Sequence, residues 1–144
     1  MNSVQGYDIE DLSPGMSASF AKTVTEADIV MYAGVTGDIN AVHLNEEFAK
    51  TTQFGGRIAH GMLTAGFISA VLANKLPGPG TIYLGQTLKF KRPVRIGDTV
   101  TATVTVREVM VDKKQAVLDA VCTVGGKVVL EGESTMLCTS AKKS

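Results

Sequence analysis

Two polar side chains with acid–base chemistry lie close together in the stretch GVTGDINAVH, residues 34–43. Asp38 and His43 are separated by a predicted turn that also contains Asn40. A carboxylate and an imidazole that hold one water molecule can take a proton from it and return a proton elsewhere. Because an ordinary Asp has a pKa of about 3.9, this role calls for burial that raises that pKa. The alternative is an Asx-type turn in which His43 is solvated or caps a helix.

A second candidate, His60-Gly61, directly precedes the longest apolar helix that the sequence predicts. The first N–H groups of a helix lack internal acceptors, and Gly61 has no side chain to block them. Such a helix end suits a developing oxyanion. The alternative is that Gly61 only permits a tight entry into the helix and His60 caps it. Further along, Ser69 either bonds to the preceding turn or points into a site.

Four cationic residues near one predicted strand end are a third candidate. They are Lys89, Lys91, Arg92 and Arg95. Such residues can meet the phosphates of a nucleotide-bearing ligand, or they can simply form a solvated strand edge.

Two short helices are predicted to position Asp38 and His43. A strand over 17–24 leads to Thr25, the expected N-cap of the first helix, which ends at Gly37. Its apolar face is expected to contain Ile29, Val30, Ala33 and Val35. Asn45 is the expected N-cap of the second helix, over 46–50, with Phe48 pointing inward.

The rest of the chain predicts a long helix and a sheet. The helix over 61–75 is apolar on nearly all sides, which indicates a central, buried position. From residue 80 the apolar pattern has period two, which predicts strands over 82–91, 99–110, 115–123 and 127–138. Hairpin turns are expected at 97–98, 112–114 and 125–126. A sheet around one long helix is the economical packing, an α+β fold in a single domain over residues 1–144.

Charge and hydropathy exclude some functions. Lys plus Arg and Asp plus Glu number 14 each, without the basic excess of a general nucleic-acid binder. No apolar run is long enough to span a bilayer, and the first residues lack the apolar segment of a secretory signal. A soluble cytoplasmic protein is therefore expected.

The two cysteines predict neither a disulfide nor a metal site. With a hairpin turn at 125–126, Cys122 is expected opposite Val129 and far from Cys138. Both are expected to be small core residues in a reducing compartment. Two cysteines and two histidines are also poorly spaced for zinc.

Three blocks in this order resemble the MaoC-like (R)-specific enoyl-CoA hydratases, most closely the short type with one hot-dog domain. The blocks are YAGVTGDINAVHLNEEFA (32–49), FGGRIAHGMLTAGFIS (54–69) and LPGPGTIYLGQTLKFKRPVRIGDTVTATVTV (76–106), and the resemblance covers roughly residues 10–138. It implies the hot-dog fold, in which a curved antiparallel sheet wraps a long helix. It also implies a homodimer, an acyl-CoA thioester substrate, and no metal or redox cofactor.

The resemblance also assigns roles to individual residues. It implies a lyase that hydrates trans-2-enoyl-CoA to (R)-3-hydroxyacyl-CoA and links fatty acid oxidation to polyhydroxyalkanoate supply. Asp38 and His43 match the catalytic pair, and Asn40 matches its loop asparagine. Gly61 matches the glycine whose N–H receives the thioester oxygen, and Ser69 matches a polar helix residue that orders the site. The expected substrate-binding residues are Met62, Leu63, Ala65, Gly66, Lys89 and Arg92.

One position departs from the family. Ala41 stands where the family usually has a proline, which bears on the rigidity of the catalytic loop. Three alternatives to the hydratase stay open. They are a (3R)-hydroxyacyl-acyl-carrier-protein dehydratase of fatty acid synthesis, a hot-dog thioesterase, and a non-catalytic acyl-binding subunit. The paired Asp38 and His43 argue against the thioesterase, which uses a single carboxylate.

Overall fold

A five-stranded antiparallel sheet packs against one long helix in the computed structural model, which describes residues 5–142. The helices are α1 (Glu26–Thr36), α2 (Ala41–Leu44), α3 (Glu46–Ala49) and α4 (Gly61–Asn74). The strands are β1 (Ser17–Thr23), β2 (Ile82–Phe90), β3 (Thr99–Met110), β4 (Gln115–Val124) and β5 (Lys127–Leu137). The strand order is β1-β3-β4-β5-β2, and the α+β arrangement predicted from the sequence is confirmed.

The core lies between α4 and the inner face of the sheet. On β3 the alternating residues Val100, Ala102, Val104 and Val106 are at most 2% exposed. Burial of each such valine contributes about 1.5–3 kcal/mol, which anchors the sheet to the helix. The helix is not buried on all sides, since Met62 remains 53% exposed near its beginning.

Helix α1 begins and ends where the sequence predicts. Thr25 and Asp28 form a capping box, in which each side chain accepts a hydrogen bond from the other residue's N–H. The hydrogen-bonded Lys22 ammonium, 2.6 Å away, holds the pKa of Asp28 below its ordinary value. Gly37 ends the helix with φ 80°, a left-handed conformation that glycine adopts readily.

The apolar faces of the short helices are narrower than predicted. Ile29 and Ala33 of α1 are buried, but Val30 is 52% and Val35 86% exposed. Only one i, i+4 stripe of α1 therefore contacts the core. Asn45 caps α3 as expected, yet Phe48 is 47% exposed, so its predicted inward orientation is wrong.

The turn at 97–98 does not join neighbouring strands, so the hairpin predicted there is wrong. Strand β2 pairs with β5 at one edge of the sheet, whereas β3 lies between β1 and β4. The segment between β2 and β3 thus crosses to the other side of the sheet. Among the strands of residues 5–142, β2 therefore has a neighbour on one side only, and its other side is an open edge.

The cysteine register is shifted by one residue. Val124 pairs with Lys127 and Thr123 with Val128, as the turn at 125–126 predicts, but a bulge then places Cys122 opposite Leu130. Cys122 and Cys138 are both free and buried, as expected. Burial raises the pKa of the Cys122 thiol to about 12, so this thiol stays neutral.

No helix within residues 5–142 combines the length and the apolar character that crossing a bilayer requires.

Candidate active site

Three titratable side chains from separate parts of the chain converge beside the start of α4. Asp38 lies in the loop after α1, His43 on α2, and His60 immediately before α4. A carboxylate oxygen of Asp38 and one ring nitrogen of each histidine lie within 4.8 Å of one another. The structure therefore brings the two predicted acid–base residues together and adds a third.

Backbone contacts fix the tautomer and place of His43. Its Nδ1 lies 2.8 Å from the carbonyl oxygen of Ile58. A carbonyl can only accept, so Nδ1 carries a hydrogen, and in a neutral ring Nε2 is then the acceptor. Arg57 donates from Nε to the His43 carbonyl at 2.6 Å and also holds Glu26 through two hydrogen bonds of 2.8 and 3.0 Å. Arg57 thus ties α2 to the start of α1.

Asp38 is exposed in the isolated chain. The described residues of one chain therefore do not bury the Asp38 carboxylate, although the acid–base role predicted from the sequence calls for such burial. A substrate or a second protein chain over the loop would have to exclude water from this carboxylate.

Hydrogen bonds between residues near in sequence shape the Asp38 loop. The N–H of Asp38 donates to Thr36 Oγ1 at 3.1 Å, and the N–H of Asn40 donates to Asp38 Oδ1 at 3.3 Å. Asn40 Oδ1 in turn accepts from the N–H of Val42 at 3.2 Å, which caps α2. Asn40 therefore acts on the loop and lies outside the cavity lining.

Ala41→Pro is expected to stabilise the protein. Ala41 is the first residue of α2, where an N–H has no partner inside the helix and proline is favoured. The preceding Asn40 has ψ 129°, which a following proline accepts. We expect the free energy of unfolding to rise by about 0.4–1 kcal/mol, measured by urea unfolding. A fall in stability would show that the backbone here resists proline.

The N-terminus of α4 offers free backbone donors next to the polar cluster. The N–H groups of Leu63 and Thr64 donate to the His60 carbonyl, at 3.1 and 3.4 Å. Those of Gly61 and Met62 precede them and have no acceptor inside the helix. The Phe90 ring lies so close to Gly61 that a Cβ added there would be 2.6 Å from Cε1 of the ring.

A cavity of about 470 Å³ joins these groups. Its polar lining includes Asp38, His43, His60 and Thr64, and its apolar lining includes Phe54, Ile58, Met62, Phe90 and Val94. Lys91 and Arg92 also contact it. The cavity thus combines acid–base groups, backbone donors, apolar walls and cations.

Several predicted substrate-binding residues lie elsewhere in the described chain. Ala65 and Leu63 belong to the core, and Gly66 is exposed on α4 with no atom within 4 Å of an added Cβ. Ser69 is half-buried further along the helix. Lys89 lies in a separate groove on the sheet, beside Asp119 and Glu131.

His60 and Phe90 were not identified as site residues from the sequence. For His60 itself the sequence predicts only a helix cap, but its side chain makes no capping hydrogen bond. Its position as the other histidine, next to Gly61, was the available signal. Phe90 carried no such signal, because its position depends on the pairing of β2 with β5.

Asp38, His43 and His60 are residue types that also bind metal ions. The rings of His43 and His60 stack, with centroids 4.0 Å apart and an interplanar angle of 32°. A metal ion must lie near the plane of each ligating ring, whereas stacked rings direct their nitrogens side by side. The Nδ1 of His43 and the Nε2 of His60 are moreover engaged by backbone carbonyls. The arrangement suits proton transfer better than metal binding.

Comparison with known proteins gives concordant results. Residues 11–127 match the family described as "MaoC like domain". The chain is 60% identical over 128 residues to an (R)-specific enoyl-CoA hydratase of Rhodospirillum rubrum, covering 89% of each chain. It is 50% identical over 125 residues to a 3-hydroxybutyryl-CoA dehydratase of Methylorubrum extorquens, covering 87% of this chain and 80% of the relative.

A solved structure shows the same fold. The (R)-hydratase from A. caviae involved in PHA biosynthesis superimposes with a TM-score of 0.86 and 40% identity. The match covers 90% of this chain and 98% of that one.

Proposed function

We propose that this chain, which belongs to the MaoC-like domain family, is an (R)-specific enoyl-CoA hydratase acting on trans-2-enoyl-CoA. One observation carries the proposal: Asp38 and His43 meet within 4.8 Å beside the free N–H groups of α4, in one cavity. Addition of water to a conjugated thioester needs these elements, a base for the water and donors for the enolate oxygen. The names of the relatives from R. rubrum and M. extorquens support the same substrate class.

The proposed reaction begins with the thioester carbonyl at the start of α4. The N–H of Gly61 donates to the carbonyl oxygen, where negative charge develops as the nucleophile attacks. The α4 dipole adds a partial positive charge at the same end. Apolar groups such as Met62 and Phe90 then exclude water from the acyl chain.

Asp38 and His43 hold the attacking water. The lone pair on His43 Nε2 is free to accept a proton because Nδ1–H is bound to Ile58. The Asp38 carboxylate offers the second acceptor. The oxygen of the water adds to C3 of the enoyl thioester, and a proton is delivered to C2 from the same face. One water is consumed, and (R)-3-hydroxyacyl-CoA forms. The reverse sequence of the same steps is the dehydration.

Hydration of crotonyl-CoA tests the proposed function directly. Loss of the conjugated enoyl-thioester absorbance, with chiral analysis of the product, should show rapid formation of the (R) isomer. An (S) product would contradict the proposal.

Turnover only with crotonyl-acyl-carrier protein would make the enzyme a (3R)-hydroxyacyl-acyl-carrier-protein dehydratase. That alternative draws on Lys91 and Arg92 at the cavity, which could contact an acidic carrier as well as CoA phosphates. Binding without turnover of either substrate would indicate a non-catalytic acyl-binding subunit.

The metabolic role follows from the product. An (R)-3-hydroxyacyl-CoA is a monomer precursor of polyhydroxyalkanoates, and the A. caviae relative is described as involved in PHA biosynthesis. The enzyme would thereby link fatty acid oxidation to polymer supply. The free, buried cysteines favour a reducing compartment, and we place this role in the cytoplasm.

A homodimer through the open edge of β2 is part of the proposal. This strand exposes Ile82, Tyr83 and Leu84 by 55%, 38% and 49%. An open edge with apolar side chains favours pairing with another chain. A partner on β2 would also lie near Phe90, and so near the cavity.

Leu84→Glu is expected to convert the dimer into a monomer. Leu84 lies at the irregularity in β2 and is half-exposed in a single chain, so the substitution leaves the core intact. A buried carboxylate at the interface would be costly. Light scattering after size exclusion should give the chain mass of 15.2 kDa, whereas Val35→Glu on α1 should remain dimeric. A dimeric Leu84→Glu protein would place the interface elsewhere.

A further inference from the structure

We propose that His60 is a positioning residue that holds both Asp38 and His43 in their reactive arrangement. This inference rests on the proposed function, since it concerns the same acid–base pair. The side chain of His60 is 1% exposed and lies between the loop that carries Asp38 and the first turn of α4. Its contacts reach each member of the pair by a different route.

A hydrogen bond connects His60 to the Asp38 loop. Its Nε2 lies 2.9 Å from the backbone carbonyl oxygen of Asp38, across 22 residues of sequence. The carbonyl can only accept, so Nε2 carries the hydrogen and the ring points its donor at the loop. The amide N–H groups of Asp38, Asn40 and Val42 donate to residues near in sequence, between Thr36 and Asn40. His60 therefore ties the Asp38 backbone to the start of α4 and its oxyanion donors, while the N–H of Ile58 donates to the Val42 carbonyl at the far end of the loop, at 3.3 Å.

Ring packing connects His60 to His43. The two imidazoles stack at 4.0 Å, and the Tyr32 ring of α1 lies 4.6 Å from the His60 ring. His43 is thus held by its Nδ1 bond to Ile58 and by an aromatic face. With the hydrogen bond alone, the His43 ring could rotate about that bond. The stacking contact with His60 prevents this rotation and so fixes the direction of His43 Nε2.

The position of His60 costs stability. With Nε2–H bound to Asp38, Nδ1 holds a lone pair that has no hydrogen-bond partner within residues 5–142. An unpartnered buried nitrogen is unfavourable, so an apolar ring would suit the core better. A buried imidazole is explained by the donor that it supplies to Asp38.

Two substitutions separate the hydrogen bond from the packing. His60→Phe keeps a ring but removes the donor, whereas in His60→Gln the side-chain amide nitrogen can reach the Asp38 carbonyl. We expect His60→Phe to lower kcat for crotonyl-CoA about 10–100-fold with little change in KM. A catalytic group misplaced by about 1 Å lowers the rate by a factor of this size. His60→Gln should retain most of the lost kcat. Val71→Ala, in the core of α4, is the control for lost stability and should leave kcat unchanged.

Hydrogen exchange gives a readout that does not need turnover. The amides of Asp38 and Asn40 should exchange faster in His60→Phe than in wild type, and they should keep the wild-type exchange rate in His60→Gln and Val71→Ala. Unchanged exchange and kcat in His60→Phe would overturn the positioning role while leaving the hydratase intact. Equal loss of kcat in the Phe and Gln variants would also overturn it. If wild type itself hydrates nothing, the proposed function fails, and exchange of this loop still decides the role of His60. Should His60→Phe not fold, His60→Leu with the same exchange measurement replaces it.

Discussion

Asp38→Asn is expected to lower kcat/KM for enoyl-CoA hydration about 10³-fold while the fold is preserved. Asparagine has the same shape, but its amide cannot accept a proton as the Asp38 carboxylate is proposed to do. The loop should survive, because Oδ1 of an asparagine can still accept from the N–H of Asn40. Initial rates with crotonyl-CoA, with thermal unfolding measured in parallel, give the comparison.

Asp112→Asn is the matched control, an exposed carboxylate in the turn between β3 and β4. It should retain wild-type kcat/KM. An Asp38→Asn enzyme with more than about a tenth of wild-type activity would show that His43 alone suffices as the acid–base group.

Gly61→Ala should reduce kcat/KM about 10²-fold. The new Cβ would lie 2.6 and 2.9 Å from two carbons of the Phe90 ring, closer than atoms in contact allow. Phe90 is 52% exposed and can turn away, but it lines the cavity, so its movement changes the space for the thioester. The methyl group also obstructs the approach of an oxygen to the Gly61 N–H. Steady-state kinetics with crotonyl-CoA measure the effect.

Three further variants identify the cause. Gly34→Ala in α1 adds the same methyl group where, within residues 5–142, it would contact nothing beyond the backbone of its own helix, so it should keep full activity and gain about 0.5–1 kcal/mol of stability. The double variant Gly61→Ala/Phe90→Ala removes the collision. Activity equal to that of Phe90→Ala alone would attribute the loss to the collision with Phe90, whereas activity below that of Phe90→Ala would attribute it to the obstructed N–H. Full activity in Gly61→Ala alone would exclude Gly61 as an oxyanion donor that needs open access.

Local signals in the sequence predict the elements well. The ends of α1 follow from Thr25 and Gly37, whose side-chain chemistry and backbone freedom fix them without help from the rest of the fold. The period-two pattern of β3 predicts its buried face, because successive side chains of a strand point to opposite faces of the sheet. The meeting of Asp38 and His43 is similarly predictable, because a single turn separates them.

Features that depend on distant residues were not predictable in the same way. The sequence shows that β2 is a strand, but its partner β5 follows two other strands later in the chain, so the pairing has no local signal. The bulge at Cys122 shifts the β4–β5 pairing register by one residue, and no residue type in the sequence indicates it. His60 joins the site through the carbonyl of a residue 22 positions earlier, a contact that only the folded backbone creates. Phe48 and Val30 show that a helical residue can be apolar and still face solvent in a single chain.

The sheet topology also has a consequence for the order of events during biosynthesis. Strand β1 pairs with β3, and Ser17 bonds to Thr105 across 88 residues. Strand β2 gains its partner only with β5, which is translated after the other four strands described here. Non-local pairing of this kind slows folding and leaves apolar edges open meanwhile. The nascent chain therefore emerges from the ribosome with β1 and β2 both unpaired, and a truncation before β5 should yield an aggregating fragment.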